Sequence, residues 1–83
     1  MKLLYFAWLR QRLGTGEETV APPAEVTDVA SLLDWLRSRG PEWQTALADT
    51  RAIRVAVNQT FADGRTAIRA GDEVAIFPPM TGG

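Results

Sequence analysis

The stretch at residues 2–8, Lys-Leu-Leu-Tyr-Phe-Ala-Trp, constrains the fold more than any other part of the chain. Bulky and aromatic residues at this density favour a strand. Period-two alternation puts Leu3, Tyr5, Ala7 and Leu9 on one face and Leu4, Phe6 and Trp8 on the other. Both faces are apolar, so the strand belongs inside a sheet, with cover on at least part of each side. Lys2 followed by an apolar run also has the look of a short signal-peptide core. However, Arg10, Gln11 and Arg12 follow at once without a small-residue cleavage site, and the run is too short to span a bilayer.

An interior strand needs neighbours, and the rest of the sequence supplies them. Residues 10–16 are polar and end in the turn Gly14-Thr15-Gly16, so residues 18–21 read as the second strand of a hairpin closed by Pro22-Pro23. Thr27 is the expected helix N-cap, with Asp28 favourable in the first turn. Val29, Leu32, Leu33 and Leu36 follow one-sided helical spacing. Arg37 and Arg39 suit the last turn, Gly40 the C′ position, and Pro41 stops continuation. Residues 41–47 read as a shorter helical piece anchored by Trp43. Ile53, Val55 and Val57 alternate with Arg54 and Ala56 as a third strand. Asp63-Gly64 marks a turn, residues 65–68 a short edge strand, Ala70-Gly71-Asp72 another turn, and residues 73–77 the last strand. Pro78-Pro79 ends it, because proline has no N–H to give to a ladder.

This order predicts an α+β fold, a mixed sheet packed on one main helix. A β-grasp arrangement, with the first and last strands central and parallel, fits the two-sided first strand. One domain is expected over residues 1–83, with a flexible tail at 80–83.

The residue types restrict the chemistry. With no Cys there is no disulfide, thiol nucleophile or thiolate metal site, and with no His the commonest general base is missing. A reducing, cytoplasmic setting fits the absence of Cys. Hydrophobic residues make up 46% of the chain, which separates it from disordered sequences. A net charge of -1, with the arginines scattered among acids, argues against a nucleic-acid surface or attraction to an anionic membrane.

The last strand carries the functional signal. Val74 and Ile76 share one face, and Glu73, Ala75 and Phe77 the other. If Glu73 faces outward, so does Phe77, and with Pro78, Pro79 and Met80 it forms an apolar surface patch of the kind that binds partners. The alternative is that the Phe61 loop covers Phe77 as part of the core. Beyond lies Met80-Thr81-Gly82-Gly83, which extended reaches roughly 13 Å. Glycine adds no side-chain width, so such a tail can thread a narrow channel and present its carboxylate in a partner's site. A carboxylate is a poor electrophile until activated, for example as an acyl-adenylate that a sulfur nucleophile then converts to a thiocarboxylate. A carrier of that kind needs no catalytic residue of its own.

Three segments together resemble a known family: Ala56-Val57-Asn58-Gln59-Thr60, then Ala70-Gly71-Asp72-Glu73-Val74-Ala75-Ile76-Phe77-Pro78-Pro79, then Thr81-Gly82-Gly83. Near the start, Tyr5-Phe6-Ala7, Arg10 and Gly14 extend the likeness. The chain is similar to the MoaD family, the sulfur-carrying small subunits of molybdopterin synthase. The resemblance implies a ubiquitin-like β-grasp fold. It also implies that the Gly83 carboxyl is adenylated by a MoeB-type activating enzyme that uses ATP, and is then sulfurated. In a heterotetramer with the MoaE-type large subunit, the sulfur passes to the cyclic pyranopterin precursor in molybdenum cofactor biosynthesis. No cofactor is implied for the carrier itself. Carried over by position, Phe61, Phe77, Pro78 and Pro79 are the partner contacts, and Met80, Thr81 and Gly82 lead Gly83 into the site.

Other readings are a carrier for another pathway, such as thiamine thiazole synthesis, a ubiquitin-like modifier, or a plain interaction module. Lys2 is the sole lysine, which weakens the modifier reading by limiting chain building to one side-chain amine.

Overall fold

The three inner strands of this chain bury alternate residues, and the sheet is assembled around that choice. The computed structural model describes residues 1–79. The elements run β1 (Lys2–Tyr5), α1 (Trp8–Leu13), β2 (Glu17–Thr19), α2 (Val29–Arg37), α3 (Pro41–Ala46), a 3-10 turn (Thr50–Ala52), β3 (Arg54–Val57), β4 (Thr60–Ala62) and β5 (Glu73–Phe77). The sheet order is β2-β1-β5-β3-β4. Within it β1 and β5 pair in parallel, Lys2 opposite Glu73 and Tyr5 opposite Ile76, while every other pairing is antiparallel. This is the β-grasp expected from the two-sided first strand.

The inward residues Leu3, Tyr5, Val55, Val57, Val74 and Ile76 join Val29, Leu32, Leu33 and Leu36 of α2 in one core. Trp43 of α3 anchors as expected, its ring meeting Tyr5 edge-on at 5.6 Å. At the β2 edge, the Tyr5 hydroxyl donates to Glu18 at 2.7 Å, and Arg39 donates two N–H bonds to the same carboxylate, each at 2.9 Å. The Arg39 guanidinium also lies 4.3 Å from the Trp43 ring centre. The cluster fastens the edge strand to the helices by a two-pronged charge-assisted contact. Burial and the Glu18 hydrogen bond push the Tyr5 hydroxyl's pKa up, while Arg39 holds the Glu18 carboxyl below its ordinary 4.5.

Several boundaries differ from the sequence expectation. The first strand stops at Tyr5, because Ala7 takes φ 56° and ψ -131° and turns the chain into α1. There Leu9 is fully buried and Leu13 packs on the core one turn later. Gly14, at φ 77°, ends α1 with its N–H on the Arg10 carbonyl. The second strand lies at Glu17–Thr19, slightly earlier than residues 18–21. The cap of α2 is Asp28, not Thr27: its carboxylate accepts the Ser31 N–H at 2.8 Å, and Ser31 Oγ accepts the Asp28 N–H at 3.1 Å. The helix ends at Arg37 with Ser38 as cap, and Gly40 instead caps α3 with Pro41 in its first turn.

Residues 65–68 are not a strand and contribute one bridge, Ala67 to Asp28. The edge strand is β4, which pairs directly with β3 through Asn58 and Gln59 at φ 51° and 70°. Asn58 tolerates that left-handed conformation, and its side chain both donates to Asp72 at 3.1 Å and accepts the Glu73 N–H at 3.0 Å. The turn is thereby tied to the start of β5. No helix among the described residues is long and apolar enough to cross a membrane.

Candidate functional site

The same alternation that fills the core leaves Leu4, Ala56, Ala75, Phe61 and Phe77 on the opposite face of the sheet. The residues of the α2 face are almost fully buried. Leu4, Ala56 and Ala75 are half-buried, and Phe61 is 79% exposed. Thus the outer face is apolar at its middle and open, the condition under which a surface patch points to a partner.

Its aromatic end coincides with the end of β5. Arg54 and Phe77 are opposite in the β3–β5 register, and Phe61 sits one diagonal step away on β4. The Phe61 and Phe77 rings lie 6.0 Å apart with planes tilted by 49°. That spacing suits an aromatic pair. Phe77 is therefore not sealed into the core by Phe61. The second ring leans on it from outside and widens the apolar surface. A recess of about 300 Å³ opens here, lined by Arg54, Val55, Phe61, Ala62 and Phe77. Pro78 and Pro79 continue directly from this point, both half-buried.

Sequence reasoning missed two contributors. Phe6 is 48% exposed, and its N–H donates to the Ile76 carbonyl at 3.2 Å, so β1 delivers it beside Phe77 at the same end of the sheet. The signal is present in its parity with Leu4, but the unbroken apolar run reads as a strand continuing to Trp8. Arg54 is the other, which the sequence shows only as the polar member of an alternation. Of the expected site residues, Phe61, Phe77, Pro78 and Pro79 come together. Met80, Thr81, Gly82 and Gly83 lie outside the described residues. Among the described residues no group of three or more acidic, His or Cys side chains is placed to hold a metal ion.

The site therefore consists of an aromatic, open sheet end from which the chain departs through two prolines. It offers a surface to dock and a direction of exit for the backbone, with no acid–base pair or nucleophile assembled beside it among the described residues.

Comparison with known proteins gives this geometry a context. The ThiS family model matches residues 3–83. The chain is 39% identical to the molybdopterin synthase sulfur carrier subunit of Escherichia coli over 83 residues, covering 100% of this chain and 99% of that protein. Among solved structures, SAMP1 from Haloferax volcanii aligns with TM-score 0.73 and 28% identity, over 99% of this chain and 97% of that one. Subunit 1 in the Helicobacter pylori complex of molybdopterin-converting factor subunits 1 and 2 shares the fold, with TM-score 0.67 and 18% identity, over 99% of this chain and 96% of that one.

Proposed function

The chain belongs to the ThiS family, and on that premise we propose that it is the sulfur carrier of a molybdopterin synthase, working through the carboxyl of Gly83. The observation that carries this reading is the end-to-end match to a carrier subunit at 39% identity, in a fold whose last strand runs out of an open aromatic patch.

The chemistry starts from what a carboxylate can do. An activating enzyme of the MoeB type joins the Gly83 carboxylate to the adenylyl group of ATP, with pyrophosphate leaving. The acyl carbon is now electrophilic. A sulfur nucleophile forms the C–S bond as AMP departs, leaving a thiocarboxylate. The large subunit, of the MoaE type, then receives the tail, and the sulfur passes to the cyclic pyranopterin precursor as the C–S bond breaks and water supplies the oxygen that restores the Gly83 carboxylate. This chain contributes placement. Phe61, Phe77 and Phe6 offer apolar area for docking, and aromatic anchors of that kind supply much of the energy in many interfaces. Pro78 and Pro79 restrict the exit direction of the backbone, which lowers the ordering cost of inserting Met80, Thr81 and Gly82.

Intact mass spectrometry after incubation with ATP, an activating enzyme and a sulfide source tests the carrier role. Replacement of one terminal oxygen by sulfur is the expected result. A variant lacking Gly82 and Gly83 is expected to remain unmodified and to lose sulfur transfer entirely, with an unchanged melting temperature. Full transfer by that variant would refute the reading. Addition of the pterin precursor and large subunit separates molybdopterin synthesis from thiamine-type sulfur delivery. The likeness to SAMP1 favours a second reading, a ubiquitin-like modifier, and that reading predicts an isopeptide-linked product in the same reaction.

A further inference from the structure

Where the aromatic patch lies, the outer face of the sheet carries an arginine that has no salt-bridge partner among the described residues. Arg54 is exposed, stands opposite Phe77 in the register, and lines two recesses. One is the recess beside Phe61 and Phe77. The other, of about 470 Å³, opens between α2 and β3–β4 over Val29, Leu33, Ile53 and Val55.

The Arg54 guanidinium donates to two backbone carbonyls, those of Ile53 at 3.0 Å and Arg51 at 3.5 Å, and meets no carboxylate among the described residues. The nearby acids are engaged elsewhere. Asp49 binds Arg51, Asp34 binds Arg37 at 2.7 Å, and Asp63 accepts the Arg65 N–H at 2.8 Å. The other charges of this face are Asp63, which continues the β3–β4 register opposite Arg54 without an ion pair to it, Glu17, which pairs with Lys2 at 3.7 Å beside Leu4, and Glu73 at the far end of β5. Four strand steps separate Glu73 from Phe77, roughly 13 Å, which exceeds the distance over which exposed charges act at physiological ionic strength. The carbonyl bonds also hold the guanidinium against its own strand, which reduces the ordering cost of a further contact.

We infer that Arg54 is a specificity-determining residue of the docking surface, taking a carboxylate from the large subunit as that subunit covers the Phe61–Phe77 patch. The inference rests on the carrier reading and names the chemistry of the partner's facing surface. Burying Arg54 beside an apolar contact without an acid would leave a charge desolvated and unpaired, so partners lacking the acid are penalised while the cognate one is accepted. The planar guanidinium still has N–H groups for a two-pronged carboxylate contact, which an ammonium group cannot reproduce.

Calorimetric titration of the large subunit with the wild-type carrier, Arg54→Leu and Phe77→Ala, at low and high salt, tests this. Arg54→Leu is expected to weaken binding about tenfold at low salt and less at high salt, flattening the salt dependence. Phe77→Ala is expected to weaken binding equally at both. Arg54→Glu is expected to bind more weakly still, and to be rescued by an acid-to-arginine exchange on the large subunit. Unchanged affinity and salt slope for Arg54→Leu, with Phe77→Ala impaired, overturns the role of Arg54 and leaves the carrier reading standing. If Phe77→Ala also binds like wild type, the patch is not the docking surface and the inference falls with it. Terminal sulfuration by mass spectrometry still decides the carrier reading independently.

Discussion

The inner and outer faces of the sheet are built from the same strands and differ only in the parity of their residues. On β5, Val74 and Ile76 are wholly buried under the helices, while Ala75 and Phe77 between them remain half-exposed. The inner face is closed by α2 and α3 within the chain itself. Its outer counterpart is apolar at its middle, has no covering element among the described residues, and becomes most aromatic where β5 ends. The contrast teaches that hydrophobicity alone does not mark a core. An apolar face that the chain leaves open marks a surface for another molecule.

That contrast can be broken from either side. Ile76→Ala attacks the closed face and is expected to cost about 2–5 kcal/mol, a fall in melting temperature on the order of 10 °C or more in a domain of this size. Thermal unfolding by circular dichroism measures it. A small shift would mean that the inner face is looser than its burial implies. Phe77→Ala attacks the open face, one residue along the same strand. It is expected to weaken the large-subunit complex about tenfold or more while shifting the melting temperature by only a few degrees. The reverse pattern, large loss of stability with intact binding, would move Phe77 into the core.

The smallest effect concerns the β2 edge. Because the Arg39 hydrogen bonds lower the Glu18 pKa on folding, the ion pair contributes fully above the ordinary value of 4.5 and is lost as pH falls through the lower folded value. Glu18→Gln is therefore expected to reduce stability slightly at pH 7 and to flatten its decline below about pH 4.5. Chemical denaturation across pH 2–7 reads this directly, and an unaltered acid limb would show that Glu18 gains nothing from Arg39. That outcome would sharpen the comparison by leaving the edge strand dependent on the inner face alone.

Much of this arrangement is legible in the sequence. The two-sided apolarity of residues 3–6 requires an interior strand, and alternation in β5 correctly divides Val74 and Ile76 from Phe77. Helix α2 is readable because its four core residues repeat at helical spacing. Features set by backbone conformation escape such reading. Ala7 sits at positive φ without any glycine signal, so helix α1 is hidden behind a continuous apolar run, although Leu9, Leu13 and Gly14 have the pattern of a helix end. Gln59, likewise at positive φ, conceals the tight hairpin and displaces the expected edge strand to residues 65–68. At the site, the aromatic pair follows from parity and position. Phe6 and Arg54 gain meaning only when the register places them beside Phe77.

The strand at the sheet centre, β5, is also the last of the five to leave the ribosome, and both neighbours wait for it. β1 and β3 are not paired with each other in the sheet and are joined only through it. A polypeptide interrupted before residue 73 would thus lack the piece that joins the two halves of the sheet. Damage inside β5 removes the joint of the sheet together with the docking end. Folding itself acts as an inspection of the segment on which delivery depends.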